Sequence, residues 1–268
     1  MQAITKWLSV FIVFLFITQA NAAEEDFPGR RLYPLDKTIT LENLHKTYDK
    51  AAIVDVRSDY EYNTLHIKGA KNIPLTSKDF EQQIIALRKA EPDTPIVFYC
   101  NGHTCMKSYK GTKRARLAGV DNVFAFDAGI FDWAHAHPDL SVLLGKSPLD
   151  PDKLISKKQL AAHELDPEEF AKRAHTGNAI VLDIRDRYQR EGLEFFPAIQ
   201  HNVPLDNDQL KQYVEQAKRG NKTLLVYDAT GHQVRWLQYF LQEEGLTGYY
   251  FMQGGAKAYY DSMLNAIR

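Results

Sequence analysis

The chain contains two cysteines, and both lie in one stretch, Pro95-Ile96-Val97-Phe98-Tyr99-Cys100-Asn101-Gly102-His103-Thr104-Cys105-Met106-Lys107-Ser108. The apolar run from Pro95 reads as a buried strand, the residues after it as a short polar loop, and Ser108 as the start of a helix. A strand that delivers a cysteine into a loop closed by a helix N-terminus makes a reactive thiolate. Loop amides and the helix dipole favour the anion on sulfur and attract other anions. Cys100 is therefore the expected nucleophile. A bridge from Cys100 to Cys105 would close a very small ring and constrain a chain of 268 residues little. A redox or nucleophilic use of the pair is the better reading.

The elements that must position this loop occur twice. In the first half, Thr38 to Leu44 reads as a short strand or turn with Thr40 as the N-cap of a helix. Ala51 to Arg57 is a buried strand ending in a polar turn. Residues 78–90 look helical, the cysteine strand follows, and a helix from Ser108 stops at Gly119. Strand Asn122–Phe126, the loop Asp127-Ala128-Gly129 and a helix carrying Trp133 close the unit. Downstream, Asp166-Pro167-Glu168-Glu169 opens a helix with a capping aspartate and a proline at its first position. Ala179–Arg185 repeats the Asp55 strand, Lys222–Asp228 repeats the Cys100 strand, and Phe251–Gly255 repeats Phe124–Gly129. Asp55 to Asp183 and Cys100 to Asp228 are both offsets of 128, whereas Gly119 to Gly245 and Gly129 to Gly255 are offsets of 126. The first-half loop is thus two residues longer, directly after the cysteine. A period this long gives two whole domains. The expected division is domain 36–145, linker 146–164 and domain 165–268, and the strand–helix alternation makes each an α/β unit with a mainly parallel central sheet.

Composition is ordinary for a globular chain, 44% hydrophobic and 25% charged, with a net charge of −1. That balance speaks against a nucleic-acid partner. There is no metal-ligand cluster, P-loop or dinucleotide fingerprint, so no metal and no cofactor is expected. Lys6, the apolar run Trp7–Ile17 and the Ala-x-Ala pattern ending at Ala22 read as a signal peptide over 1–22. The alternative is an N-terminal membrane anchor, for which the run is short. The expectation is a periplasmic protein with no membrane attachment after cleavage.

The motifs Asp55-Val56-Arg57, Glu61, His66-Ile67-Lys68-Gly69-Ala70-Lys71-Asn72-Ile73-Pro74, Tyr99-Cys100, Gly119 and Gly129 together resemble a rhodanese domain over residues 38–140. The second half resembles the same fold through Asp183-Ile184-Arg185, Asn202-Val203-Pro204 and the strand ending at Asp228. The resemblance implies two tandem three-layer α/β/α domains, active first and degenerate second. It implies sulfurtransferase activity through a Cys100 persulfide, with a small anionic sulfur donor such as thiosulfate or a persulfide. The acceptor would be a thiol, cyanide or a protein. Backbone N–H groups from Asn101 to Ser108 would stabilise thiolate and persulfide, and Gly102 would permit the positive φ of a curled loop. Asn101, Gly102, His103, Thr104, Lys107 and Ser108 are the expected substrate-binding residues.

Two departures stand out. The common loop has cysteine, four residues, arginine and serine; here Lys107 stands where the arginine would be, and a point charge cannot grip an oxyanion in two places. Cys105 is an added thiol. It attacks the Cys100 persulfide to release sulfide, protects Cys100 from over-oxidation, or merely packs. His103 is a proton donor, an anion contact or a solvated loop histidine. The stripe Lys107, Lys110, Lys113, Arg114 and Arg116 attracts anionic donors or is a solvated helix face. Asp55, Arg57, Glu61 and His66 are expected to tie loops together, and Trp133 to pack. The second domain has no thiol to carry sulfur; if its loop keeps the curl, the Asp228 carboxylate fills it, and the domain serves a structural or docking role. Two other functions share the features above: a cysteine phosphatase or arsenate-type reductase, whose loop would carry an arginine, and a non-catalytic or redox-sensing module with a Cys100–Cys105 disulfide.

Overall fold

The computed structural model describes residues 27–190 and 193–266, so the expected signal peptide lies outside the described residues. No helix among these is long and apolar enough to cross a membrane. The chain divides into two units after Pro151.

In the first unit the elements run α1 (Pro28–Leu32), α2 (Leu41–Lys46), β1 (Ala52–Asp55), α3 (Asp59–Thr64), β2 (Leu65–Ile67), β3 (Lys71–Asn72), α4 (Phe80–Ala90), β4 (Ile96–Tyr99), α5 (Lys107–Leu117), β5 (Val123–Phe126), α6 (Gly129–Ala136) and β6 (Ser141–Leu143). Strands β3-β1-β4-β5 form a parallel sheet, and β2 pairs antiparallel with β6. All four residues of β1 and of β4 are buried, as expected for a parallel sheet covered on both faces. Alternation along β4 sends Ile96, Phe98 and Cys100 into the same cluster as Phe80, Ile84 and Ala115, so Cys100 points toward the α4/α5 face. Trp133 packs as expected, fully buried with its indole N–H on the Leu140 carbonyl. Thr40 caps α2 by accepting the Asn43 N–H, which is why that helix starts where the sequence indicates.

The second unit contains α7 (Lys157–Ala161), β7 (Glu164–Leu165), α8 (Pro167–Ala174), β8 (Ala179–Asp183), β9 (Gln200–Asn202), α9 (Asn207–Gly220), β10 (Thr223–Tyr227), α10 (Val234–Glu243), β11 (Tyr249–Met252) and α11 (Gly255–Ala266). Its sheet is parallel with the order β7-β11-β10-β8-β9. Asp166 caps α8 through the Glu168 and Glu169 N–H groups.

The stretch 146–164 is not the featureless linker that its prolines and aspartates suggest. It carries α7, and Glu164 starts an edge strand paired with Phe251. The first unit has the same edge contact, a parallel bridge from Thr38 to Ala125. Both members of this pair of contacts are related by the 126-residue offset. The segment is too short to show a strand period, and only pairing to β11 reveals it.

Candidate active site at the Cys100 loop

The frame beneath the loop is an ion pair at the end of β1. Arg57 Nε donates to Asp55 Oδ1 (2.9 Å) and Nη2 to Oδ2 (2.6 Å), and neither side chain is exposed. Burial opposes the guanidinium charge, but Asp55 more than offsets it, so the Arg57 pKa is raised. Further guanidinium donors reach the Leu65 carbonyl (2.6 Å) and Asn101 Oδ1 (3.3 Å). Arg57 thus ties the strand end to the residue that follows Cys100.

Asn101 is held from its other side. Its amide donates to Glu61 Oε1 (3.3 Å). Glu61 also closes a capping box with Ser58 at the start of α3, and its Oε2 lies 3.7 Å from Lys107 Nζ. Burial pushes the Glu61 pKa up, but Arg57, Lys107 and the Ser58 hydrogen bonds outweigh it and the net shift is down. Lys107, expected as a point charge for an anion, is therefore engaged by Glu61 while staying 45% exposed. The loop is stitched at both ends by one carboxylate. The Ser-Asp-Tyr-Glu run announces the capping box; nothing in it announces the reach to Asn101 and Lys107.

Cys100 is 1% exposed, and it is joined to Cys105 as a disulfide with the Cα atoms 6.4 Å apart. Ser108 Oγ lies 3.8 Å from Cys100 Sγ, placed by the first turn of α5. No acceptor among the described residues takes the amides of Met106, Lys107, Ser108 or Tyr109, which leaves a helix N-terminus aimed into the loop. Backbone contact with the next crossover fixes the curl. Ile130 N–H donates to the Cys100 carbonyl (2.9 Å), and Cys105 N–H turns back onto the Gly102 carbonyl (2.6 Å). A Cβ on Gly102, whose φ is +139°, would fall 2.7 Å from the Ala128 carbonyl oxygen, so only glycine fits.

The remaining expected contacts sit at the rim. His103 Nε2 lies 2.8 Å from Asp132 Oδ2, and the Phe27 ring stacks on the imidazole at 4.3 Å. Thr104 is exposed. Arg30, over the Phe27 ring, donates to Asp127 Oδ2 (2.8 Å), which also accepts the Tyr109 hydroxyl (2.6 Å). Asp132, Phe27 and Arg30 carry no motif and escape a sequence reading. Of the basic stripe, Arg114 pairs with Glu81 and Arg116 with Asp36, which leaves Lys110 and Lys113 as its solvated part.

The twin loop in the second unit holds an anion in the same place. Asp228 Oδ1 accepts the N–H groups of Thr230 (2.9 Å) and Gly231, and Oδ2 accepts those of Gln233 and Val234 (3.3 Å). The carboxylate fills the nest, as expected. Its curl is pinned in the same way, by Ala256 N–H on the Asp228 carbonyl (2.8 Å).

Known proteins match the chain at the level of the domain. A family model described as a rhodanese-like domain matches residues 40–136 and again 166–262. The chain is 31% identical over 99 residues to the uncharacterized protein YqhL of Bacillus subtilis, covering 36% of this chain and 71% of that protein. It is 32% identical over 107 residues to the probable adenylyltransferase/sulfurtransferase MoeZ of Mycobacterium tuberculosis, with 38% of this chain and only 26% of that protein covered. A thiosulfate sulfurtransferase structure from Pseudomonas aeruginosa aligns over 83% of this chain and 44% of that chain, with 21% identity and a TM-score of 0.34. With the family model matched twice, over most of the described residues, the chain belongs to the rhodanese-like domain family and carries that domain in tandem.

Proposed function

We propose that the protein is a sulfurtransferase in which Cys100 carries sulfane sulfur from a small anionic donor to a thiol or to cyanide. The Cys100 thiolate attacks the outer sulfur of thiosulfate, the sulfur–sulfur bond of the donor breaks, and sulfite leaves with the electron pair. The acceptor then attacks the outer sulfur of the persulfide and returns Cys100 as a thiolate. This is covalent catalysis in two half-reactions and gives ping-pong kinetics. The reduced form, with the Cys100–Cys105 bond open, is the one that reacts.

The observation that carries the reading is the twin loop. Four backbone N–H groups hold the Asp228 carboxylate at the position corresponding to Cys100, so the duplicated scaffold is one that stabilises negative charge there. A thiolate and a persulfide are both anions. Thiocyanate formation from thiosulfate and cyanide by the reduced protein, abolished in Cys100→Ser, tests it directly. Activity unchanged in that variant rejects Cys100 as the carrier.

A second reading has two observations in its favour. The disulfide and the 1% exposure of Cys100 suit a redox-sensing module that binds a partner without transferring sulfur. Failure of every sulfane donor either to add a sulfur atom to the reduced protein or to yield sulfide from it would select it. Export to the periplasm through residues 1–22 belongs to the same proposal. A mature N-terminus at Ala23 in the periplasmic fraction would support it, and full-length protein confined to the cytoplasmic fraction would refute it.

A further inference from the structure

We propose that Cys105 resolves the Cys100 persulfide, so that the protein releases sulfide and is returned to its starting state by an external dithiol. The proposal rests on the persulfide reading above and gives the persulfide a second fate, taken when no external acceptor claims the outer sulfur.

Four observations lead to it. Cys100 and Cys105 are already bonded, with a Cα separation of 6.4 Å that lies inside the usual disulfide range. The loop is built to bring them together: the Cys105 N–H on the Gly102 carbonyl folds the chain back, while Ile130 anchors the Cys100 backbone beneath it. Access also differs. Cys100 is 1% exposed, and Cys105 is only partly buried at the edge of the same apolar cluster. An acceptor thiol from solvent reaches the inner sulfur poorly, whereas Cys105 approaches it without leaving its own turn. The loop of the second unit, which has no thiol, is also two residues shorter. The added length and the added thiol occur together.

The step balances. The Cys105 thiolate attacks Sγ of Cys100, the Cys100–sulfur bond of the persulfide breaks, and the outer sulfur leaves as hydrosulfide with that electron pair. The product is the Cys100–Cys105 disulfide, the state the structure shows. Sulfane sulfur has been reduced by two electrons and the two thiols oxidised by two. A dithiol then attacks the more accessible Cys105 sulfur. The mixed disulfide is closed by the second thiol of the reductant, which restores both cysteines. The reaction that sustains turnover must therefore be one that regenerates a dithiol, and the reaction that follows must consume sulfide.

The test is a single turnover of the full chain. Reduced protein is loaded with inorganic polysulfide, freed of excess donor and reductant, and followed by intact mass and by sulfide release. The expected wild-type result is stoichiometric sulfide with conversion to the disulfide form. Dithiothreitol then regenerates the dithiol and permits a second turnover. Cys105→Ser and Cys105→Ala are expected to hold the added sulfur, release no sulfide, and give thiocyanate when cyanide is added. Wild-type protein that keeps its persulfide as long as these variants, or variants that release sulfide as fast as wild type, would overturn the resolving role while leaving sulfur transfer intact. Absence of any sulfur adduct in all three proteins would instead reject the sulfurtransferase reading, and this proposal with it.

Discussion

The two units keep one set of residues in common and differ in another. Asp183, Arg185 and Tyr227 reproduce Asp55, Arg57 and Tyr99. The Arg185 Nε and Nη2 bonds to Asp183 are 2.9 and 2.6 Å, as in the first unit, and Nη2 reaches the Leu193 carbonyl (2.9 Å) as Arg57 reaches that of Leu65. Around the loop the match ends. Glu61, Asn101 and Lys107 correspond to Gln189, Ala229 and Gln233. Gln189 still closes the turn at Asp186, through the reciprocal bonds of 3.0 and 2.8 Å, but it has no charge to offer a neighbouring loop. The retained set ties a strand end to a buried turn, which any copy of this fold needs. The lost set surrounds only the thiol. The difference separates the residues that hold the fold from those that hold Cys100 in place.

The largest effect tests the retained set. Arg57→Leu and Arg185→Leu each leave a buried carboxylate without its partner, at a cost of about 3–5 kcal/mol. Urea unfolding of the full chain measures it, and a loss under about 1 kcal/mol in either unit breaks the claim that the frame is shared. Next, Asp228→Ala removes the acceptor for four amides and should lower the stability of the second unit by about 1–3 kcal/mol. Sulfur transfer at Cys100 should be unchanged in that variant; a parallel loss of activity would show that the second loop takes part in the chemistry.

Glu61→Gln imposes the second unit's residue on the first. The capping box survives, as Gln189 demonstrates, so stability should move by less than about 0.5 kcal/mol. Transfer activity should fall on the order of fivefold, equivalent to about 1 kcal/mol, because Asn101 and Lys107 lose a charged partner. An unchanged rate would make the network purely structural. The smallest effect is a pH dependence. The Glu61 pKa is lowered from 4.5 in the folded protein, so its stabilising contribution is complete above that value and is lost as the pH falls through the folded pKa. Wild type should lose stability relative to Glu61→Gln across that acidic window; parallel stability curves there would remove the assigned role of the charge.

Much of this was legible in residue order. Helix caps such as Thr40 and Asp166 act over a single turn, so local sequence announces them. The buried strands around Asp55 and Cys100 show as short apolar runs, and the duplication shows because matching residues recur at constant offsets. The parts that escaped depend on long-range contact. The Glu164 edge is too short for a period and exists only by pairing with β11, whereas its counterpart at Thr38 was already readable as a short strand or turn. The Asp132 contact to His103 and the stacking of Phe27 join residues with no spacing relation to one another.

The amino-acid sequence by itself determined that an α/β unit occurs twice, that only the first copy has thiols, and that Cys100 stands at a strand end before a helix. Those properties follow from residue type, near-neighbour spacing and the constant offsets between the copies. The tertiary structure alone decided that Cys105 bonds to Cys100, that Lys107 answers to Glu61, and that the nest of the second unit is filled by its own aspartate. The reason is geometric. Which of several chemically capable partners meet is set by how the β4–α5 and β10–α10 loops curl against the crossovers at Gly129 and Gly255.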